Sequence, residues 1–197
     1  NPQEPNGPGN GFFHEEDMVY ETTLQLEKEA EDKRIWLEFE AVYQNAFVYV
    51  NNAFAGKCAY GYSNFYLDIT DFVKIGQANV IKVIVKDGVP SGRWYTGGGI
   101  YRDVHLMIAE PTHIAPDGVF VKTESVDEQI AEIAVCTEVV NDDKTMKSIL
   151  LSAKLTDEAG KTVAEGNMPI TIRGHVTDTY KLRLFVKNPK LWDAEHP

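Results

Sequence analysis

The chain has few cysteines and no long apolar run, and both shortages limit what it can be. Its two cysteines, Cys58 and Cys136, are far apart and fall in segments expected to belong to different domains, so we expect no disulfide. No stretch of about 18 apolar residues is present, which argues against a membrane span. The first residues show no charged segment followed by an apolar one, so we expect a signal peptide to be absent or already removed, and the cellular compartment stays open.

Basic residues are also scarce. Lysine and arginine together number 19 against 30 acidic residues, and the net charge is −11. Nucleic acid is therefore not an expected partner, because phosphate binding requires clustered positive charge. A neutral ligand such as a carbohydrate is compatible with this balance.

The usual signatures of catalytic and cofactor sites are missing as well. The adjacent acidic pairs Glu15-Glu16 and Asp142-Asp143 would point apart on a strand, so neither can act as a catalytic dyad. No serine elbow and no phosphate-binding glycine motif occurs. We therefore expect no catalytic residue, no cofactor and no metal, since none of the histidines has metal-ligand spacing; these are His14, His105, His113, His175 and His196.

The first part of the chain alternates apolar and polar residues, which is typical of half-buried strands. Val19–Leu26 and Ile35–Ala41 show this pattern, and the charged segment 27–33 between them is predicted to be the tip of a hairpin. Asn51 and Asn52 predict a two-residue hairpin turn, because asparagine tolerates positive φ. No segment has a helical period over ten or more residues.

Pro111 and Pro116 mark a change in the spacing of the predicted strands. Beyond them the sequence predicts an evenly spaced series of short strands, typical of an immunoglobulin-like sandwich. We therefore predict two domains, residues 1–110 and residues 111–197. The strands predicted in the second domain are Val119–Thr123, Ile130–Val140, Ile149–Thr156, Thr162–Glu165, Ile170–Ile172 and Thr179–Val186.

The segment Ser91–Asp103, SGRWYTGGGIYRD, is the strongest candidate for a binding site. Its three glycines allow positive φ or a close approach of the backbone, and they place the preceding residues in a loop before a predicted strand, Ile100–Ile108. Trp94 and Tyr95 would offer aromatic faces to a sugar ring, with Arg93 and Asp87 as polar partners. The alternative is that these aromatics pack in the domain core or at a domain interface.

Several motifs together resemble one known family. RWYTGGGIYRDVHL is similar to the S-R-W-Y-x-G-x-G-I-Y-R-x-V-x-L signature of glycoside hydrolase family 2, the family of β-galactosidases and their relatives. Val50-Asn51-Asn52, Phe65–Thr70 and Asn188–Trp192 match further motifs in the same order. One such match would be weak, but the ordered set is specific.

The resemblance implies an all-β chain, in which a jelly-roll sugar-binding domain precedes an immunoglobulin-like domain. It also implies that both domains lack strands at the chain ends. In the family, two catalytic glutamates lie in a (β/α)₈ barrel that follows these domains, so this chain is expected to be non-catalytic and the barrel to be its partner. The parent enzyme would be a retaining β-glycosidase, most simply a β-galactosidase.

The role of the central loop follows from the same resemblance. Jelly-roll loops in this family can reach the rim of the barrel's active site, and the loop containing Arg93, Trp94 and Tyr95 is the expected contributor. Arg102 is expected to be structural and ion-paired. Two other readings stay open: an autonomous carbohydrate-binding module, and a structural protein built of tandem sandwiches.

Overall fold

A computed structural model describes residues 17–86 and 98–195 of the chain. The chain divides into two compact units, Asn1–Glu110 and Pro111–Pro197. Regular structure in the described part consists of β-strands and one short 3₁₀ turn, Lys28–Ala30. The prediction of an all-β chain is confirmed. None of the described residues belongs to a helix long and apolar enough to cross a membrane.

The first unit is built from two larger sheets and one small one. A four-stranded sheet has the order β1-β7-β4-β5, a three-stranded sheet has the order β6-β2-β9, and β3 pairs with β8. The pairings are antiparallel throughout. The strands are β1 Met18–Gln25, β2 Arg34–Phe39, β3 Val42–Tyr43, β4 Ala46–Val50, β5 Ala53–Cys58, β6 Phe65–Asp68, β7 Ala78–Val85, β8 Gly99–Ile100 and β9 Val104–Ala109.

The core of this unit lies between the two larger sheets. Ile35, Leu37 and Phe39 of β2 pack in one core with alternate residues of β4 and β7, as the period of two in the sequence predicts, while Trp36 between them is also buried. Phe39 stacks on Phe65 with ring centroids 4.8 Å apart. Burying each such side chain stabilises the fold by roughly 1.5–3 kcal/mol. The strand core comprises Ile35, Leu37, Phe39, Ala46, Val48, Val50, Ile81, Val83 and Val85.

The hairpin predicted for the N-terminal strands is wrong. β1 pairs with β7, where Met18 lies opposite Val85, and β1 and β2 belong to different sheets. The charged segment between them therefore crosses from one sheet to the other. Leu26 and Ala30 are buried in this crossing, because they cover the end of the core.

The single strand predicted for Ile100–Ile108 is interrupted. β8 pairs with β3 and β9 pairs with β2, and the residues between them make the step from one sheet to the other. Backbone hydrogen bonds hold this step against the chain after β2, from Tyr101 N to Ala41 O and from Glu40 N to Asp103 O. Arg102 is exposed and lies outside any strand.

The predicted asparagine turn is confirmed. Asn51 and Asn52 have φ values of 49° and 68° and connect β4 to β5. Two consecutive positive φ values match the right-handed twist of the paired strands.

The second unit is a smaller sandwich. Its three-stranded sheet has the order β10-β11-β14, and β12 pairs with β13. Val139 of the first sheet packs with Leu151, Ile170 and Ile172 of the second. The strands are β10 Thr112–Val126, β11 Ile130–Asn141, β12 Lys147–Thr156, β13 Thr162–Ile172 and β14 Val176–Lys187.

Thr162–Ile172 is one strand, where the sequence predicts two short ones. Gly166 allows β13 to pass close to two leucines of β14. A Cβ at this position would lie 2.7 Å from Leu182 Cδ2 and 3.0 Å from Leu184 Cδ2. Pro169 lies opposite Leu150 in a strand whose one partner among the described strands is β12, and such edge strands are where proline is tolerated.

Candidate functional site

The predicted binding residues Asp87, Arg93, Trp94 and Tyr95 lie outside the described residues. The structure describes the two strands that flank them. β7 ends at Val85, which is fully buried and paired with both Met18 and Ala46. β8 begins at Gly99, which pairs with Tyr43. Both ends of the segment are thus fixed to the first unit.

Gly99 shows why the last position of the glycine run must be glycine. Its φ is 124°, a value that other residues rarely adopt. A Cβ at this position would lie 2.5 Å from Tyr20 Oη and 3.2 Å from Met18 Sδ. The neighbouring Ile100 N–H donates to Tyr20 Oη over 3.3 Å. Backbone freedom and close approach, the two roles predicted for the glycines, both hold here.

A group of four tyrosines beside this strand was not predicted from the sequence. We call Tyr43, Tyr60, Tyr62 and Tyr101 the tyrosine surface. Tyr43 and Tyr62 have ring centroids 5.3 Å apart at an interplanar angle of 58°, and Tyr60 meets Tyr62 at 5.8 Å and 71°. The Tyr101 hydroxyl donates a 2.7 Å hydrogen bond to the carbonyl of Gly61. The tyrosines therefore come together around the loop between β5 and β6.

Three of these rings are open to solvent. The exposed fractions are 62% for Tyr60, 57% for Tyr62 and 50% for Tyr101. The pKa of Tyr62 is raised above its ordinary value. The largest cause is partial desolvation, and the charge of Tyr43 and a hydrogen bond with its hydroxyl add to the effect. This loop was missed from the sequence; the signal that could have found it is the Tyr-Gly-Tyr run at residues 60–62, between two predicted strands.

A second cluster contains three ionisable residues: Glu40 after β2, Asp103 between β8 and β9, and His105 in β9. One ligand atom each of Glu40, Asp103 and His105 lies within 4.8 Å of the others, a spacing that could hold a metal ion. His105 Nε2 is 2.9 Å from Glu40 Oε1. The hydrogen bond to Glu40 raises the pKa of His105, and the same bond lowers the pKa of Glu40. When the imidazole is protonated, His105 and Glu40 form an ion pair.

The described residues of each unit also line an open apolar groove. The groove of the first unit, about 480 Å³, lies along β1 and β7 and includes Glu21 as its acidic residue. The groove of the second unit, about 500 Å³, runs past Trp192 and includes Asp157. A retaining glycosidase requires two carboxyl groups about 5 Å apart. The described residues that line each groove contribute a single carboxylate, so neither groove forms such a pair.

Comparisons with protein families identify both units. The model described as "Glycosyl hydrolases family 2, sugar binding domain" matches residues 10–111, and "Glycosyl hydrolases family 2" matches residues 112–197. The chain therefore belongs to glycosyl hydrolase family 2. The predicted family, and the order of a sugar-binding sandwich before an immunoglobulin-like one, are confirmed.

Individual relatives are much longer than this chain. It is 34% identical over 196 residues to beta-galactosidase BoGH2A of Bacteroides ovatus, covering 99% of this chain and 23% of that protein. It is 33% identical over 192 residues to a putative beta-glucuronidase of Formosa agariphila, covering 97% and 18%. The crystal structure of a family 2 member from Bacteroides cellulosilyticus superposes with a TM-score of 0.92 at 31% identity, covering 100% and 27%. The chain thus spans about a quarter or less of each relative.

Proposed function

We propose that this chain is the non-catalytic N-terminal part of a larger family 2 glycoside hydrolase whose (β/α)₈ barrel lies elsewhere in the same protein. The observation that carries the proposal is that relatives match almost the whole chain over only 18–27% of their own length. In this proposal residues 1–110 form the sugar-binding domain and residues 111–197 the immunoglobulin-like domain. Together they position the barrel.

The central segment supplies the contact with substrate. Arg93, Trp94 and Tyr95, with Asp87, form part of the rim of the barrel's active site. The anchoring of both flanking strands supports this role, because loops on a rigid frame are where binding residues usually lie. The competing role is packing against the barrel without contact to substrate. The two roles differ in their effect on substrate affinity.

The reaction is hydrolysis of a β-glycoside with retention, performed by two carboxylates of the barrel. A β-galactoside is the first candidate substrate, because the relative at 34% identity is a beta-galactosidase. A β-glucuronide is the second, because a putative beta-glucuronidase is nearly as similar at 33%.

A chimeric enzyme tests the scaffold role. This chain would replace the 196 aligned residues of the Bacteroides ovatus beta-galactosidase. We expect the chimera to hydrolyse an aryl β-galactoside and to lose activity when the replacement is deleted. The isolated chain should hydrolyse neither an aryl β-galactoside nor an aryl β-glucuronide. Activity of the isolated chain, or full activity of the deletion, would refute the proposal.

Variants of the same chimera test the rim. Trp94→Ala should lower kcat/KM by about tenfold, mainly through KM, if its ring contacts substrate. Trp192→Ala is the matched control, because its side chain is 76% exposed and belongs to the second unit. An unchanged KM in Trp94→Ala together with a lower melting temperature would assign Trp94 to domain packing.

A further inference from the structure

We propose that the tyrosine surface is a carbohydrate-binding site that holds a neutral hexopyranoside by stacking on its rings. This inference goes beyond the proposed function, because it requires neither the barrel nor residues 87–97. It would give the sugar-binding domain a glycan contact of its own.

The arrangement of the rings leaves aromatic faces available. Tyr62 is tilted by 58° against Tyr43 and by 71° against Tyr60. Rings at such angles touch through an edge, so one face of each ring stays uncovered by its neighbour. The exposed fractions of 62% for Tyr60 and 57% for Tyr62 agree with this geometry. The surface is therefore stepped, with exposed aromatic rings on which a sugar ring can stack.

The loop that carries Tyr60 and Tyr62 is held from two sides. Gly61 is buried under the Tyr43 ring so closely that a Cβ would lie 2.3 Å from Tyr43 Cδ2. Its carbonyl accepts the hydrogen bond from Tyr101. The chain enters the loop through Cys58, whose Sγ is 3.5 Å from the carbonyl of Tyr60. A fixed loop loses little conformational freedom on binding, which favours affinity for a small ligand.

The chemistry of the surface fits a sugar. Each tyrosine combines an apolar ring with a hydroxyl that donates and accepts hydrogen bonds, which matches a pyranose with its apolar face and hydroxyl rim. The tyrosine surface contains no lysine, arginine or histidine, so it offers no cationic side chain to the carboxylate of an anionic sugar. A neutral sugar is therefore favoured over an anionic one. The match of residues 10–111 to a sugar-binding domain supports the same class of ligand.

Fluorine NMR of the complete 197-residue chain, labelled with 3-fluorotyrosine, tests the site directly. Lactose and methyl β-galactoside would be the probes, and Tyr→Phe variants would assign the resonances. We expect the signals of Tyr60 and Tyr62 to shift along one saturation curve with a millimolar dissociation constant, while Tyr180 in the second unit does not move. Absence of a saturable shift up to about 100 mM sugar would overturn the proposal, and would leave contact with another protein domain as the use of this surface.

Variants separate stacking from general effects. Tyr62→Ala and, independently, Tyr60→Ala should weaken lactose binding about tenfold, whereas Tyr62→Phe keeps the ring and should weaken it no more than about threefold. Phe54→Ala is the control, because Phe54 is a 50% exposed aromatic of the same unit with ring contacts to Phe47 and Tyr49 instead. Equal losses in Phe54→Ala and Tyr62→Ala would overturn the assignment to this surface.

Discussion

The side-chain amide of Asn51 donates a 2.8 Å hydrogen bond to Oδ1 of Asn79, which joins the β4–β5 turn to the start of β7. Asn79 is fully buried. Its Oδ1 also accepts from Lys74 N at 2.7 Å, and its Nδ2 donates to the carbonyls of Lys74 and Gln77. The buried side-chain amide of Asn79 therefore fixes both the turn before β7 and the turn after β4. Its oxygen and its nitrogen both have hydrogen-bond partners in this arrangement.

Replacing Asn79 with alanine should destabilise the first unit. The change leaves buried backbone groups without their partner, which costs about 3 kcal/mol. Urea unfolding, combined with hydrogen exchange of β4 and β7, would measure the loss. Gln25→Ala is the control, since Gln25 is an exposed polar residue on β1, and it should change stability by less than about 0.5 kcal/mol. Similar values for the two variants would show that the Asn79 network contributes little.

The parts of this fold that can be read from the sequence are those set by near neighbours in the chain. Ile35, Leu37 and Phe39 are predicted to face inward because side chains alternate along a strand, and all three are buried. The turn at Asn51 and Asn52 is predicted because few residues tolerate two positive φ values in a row.

Sheet membership depends on distant parts of the chain, and there the predictions fail. β1 pairs with β7, more than fifty residues away, and nothing in the charged segment after β1 distinguishes a hairpin from a crossing between sheets. Similarly, the sequence predicts two short strands where the structure has β13, and within β13 Gly166 leaves space for Leu182 and Leu184 of β14.

The candidate sites show the same limit. Tyr43, Tyr62 and Tyr101 lie in three separate segments, and they meet only because β3 pairs with β8. Glu40 and His105 are 65 positions apart and are brought together by the register of β2 and β9. The spacing of histidines along the chain carries no information about such a pair.

The ion pair between Glu40 and His105 predicts a pH dependence. The pKa of His105 is raised, so its contribution is present below about pH 6.5 and is lost as the pH rises through the folded-state pKa. The pKa of Glu40 is lowered, so its contribution is present above about pH 4.5 and is lost as the pH falls. The pair therefore stabilises the chain between these limits. His105→Gln should lower the melting temperature more at pH 5.5 than at pH 8.

NMR titration gives the direct check of this pair. The pKa of His105 should fall in Glu40→Gln, because the main cause of its elevation is the hydrogen bond to that carboxylate. An unchanged His105 pKa in this variant, or equal melting-temperature losses at the two pH values, would contradict the prediction.

A second ion cluster lies on the second unit. Lys181 Nζ is 2.8 Å from Glu124 Oε1, and Lys122 Nζ is 3.0 Å from Glu124 Oε2. The hydrogen bonds to Lys181 and then Lys122 lower the pKa of Glu124 to about 2. The resulting stabilisation is present above about pH 4.5 and is lost as the pH falls toward 2.

Lys181→Ala should therefore raise the pKa of Glu124, measured by the carboxyl carbon shift during an acid titration. Lys122→Ala should raise it as well, because both lysines lower this pKa through a hydrogen bond and through their charge. Salt at about 1 M should also raise this pKa, since the three side chains are partly exposed and their attraction is screened. A pKa that stays low in Lys181→Ala would show that Lys122 alone holds the carboxylate.

Gly61→Ala should disrupt the tyrosine surface without touching an exposed ring. The new Cβ would lie 2.3 Å from Tyr43 Cδ2, far inside van der Waals contact, so either the Tyr43 ring or the loop must move. Movement of the loop separates Tyr62 from Tyr43, so we expect the fluorine resonances of both residues to shift. Lactose affinity should fall at least tenfold, because loss of one stacked ring costs about 1.4 kcal/mol of binding free energy. Gly160→Ala is the control for backbone strain away from the tyrosines, because its φ of 78° disfavours alanine, nothing lies within 4 Å of a Cβ there, and it belongs to the second unit. Retention of affinity in Gly61→Ala despite shifted Tyr43 and Tyr62 signals would mean that sugar recognition does not depend on how these rings are placed.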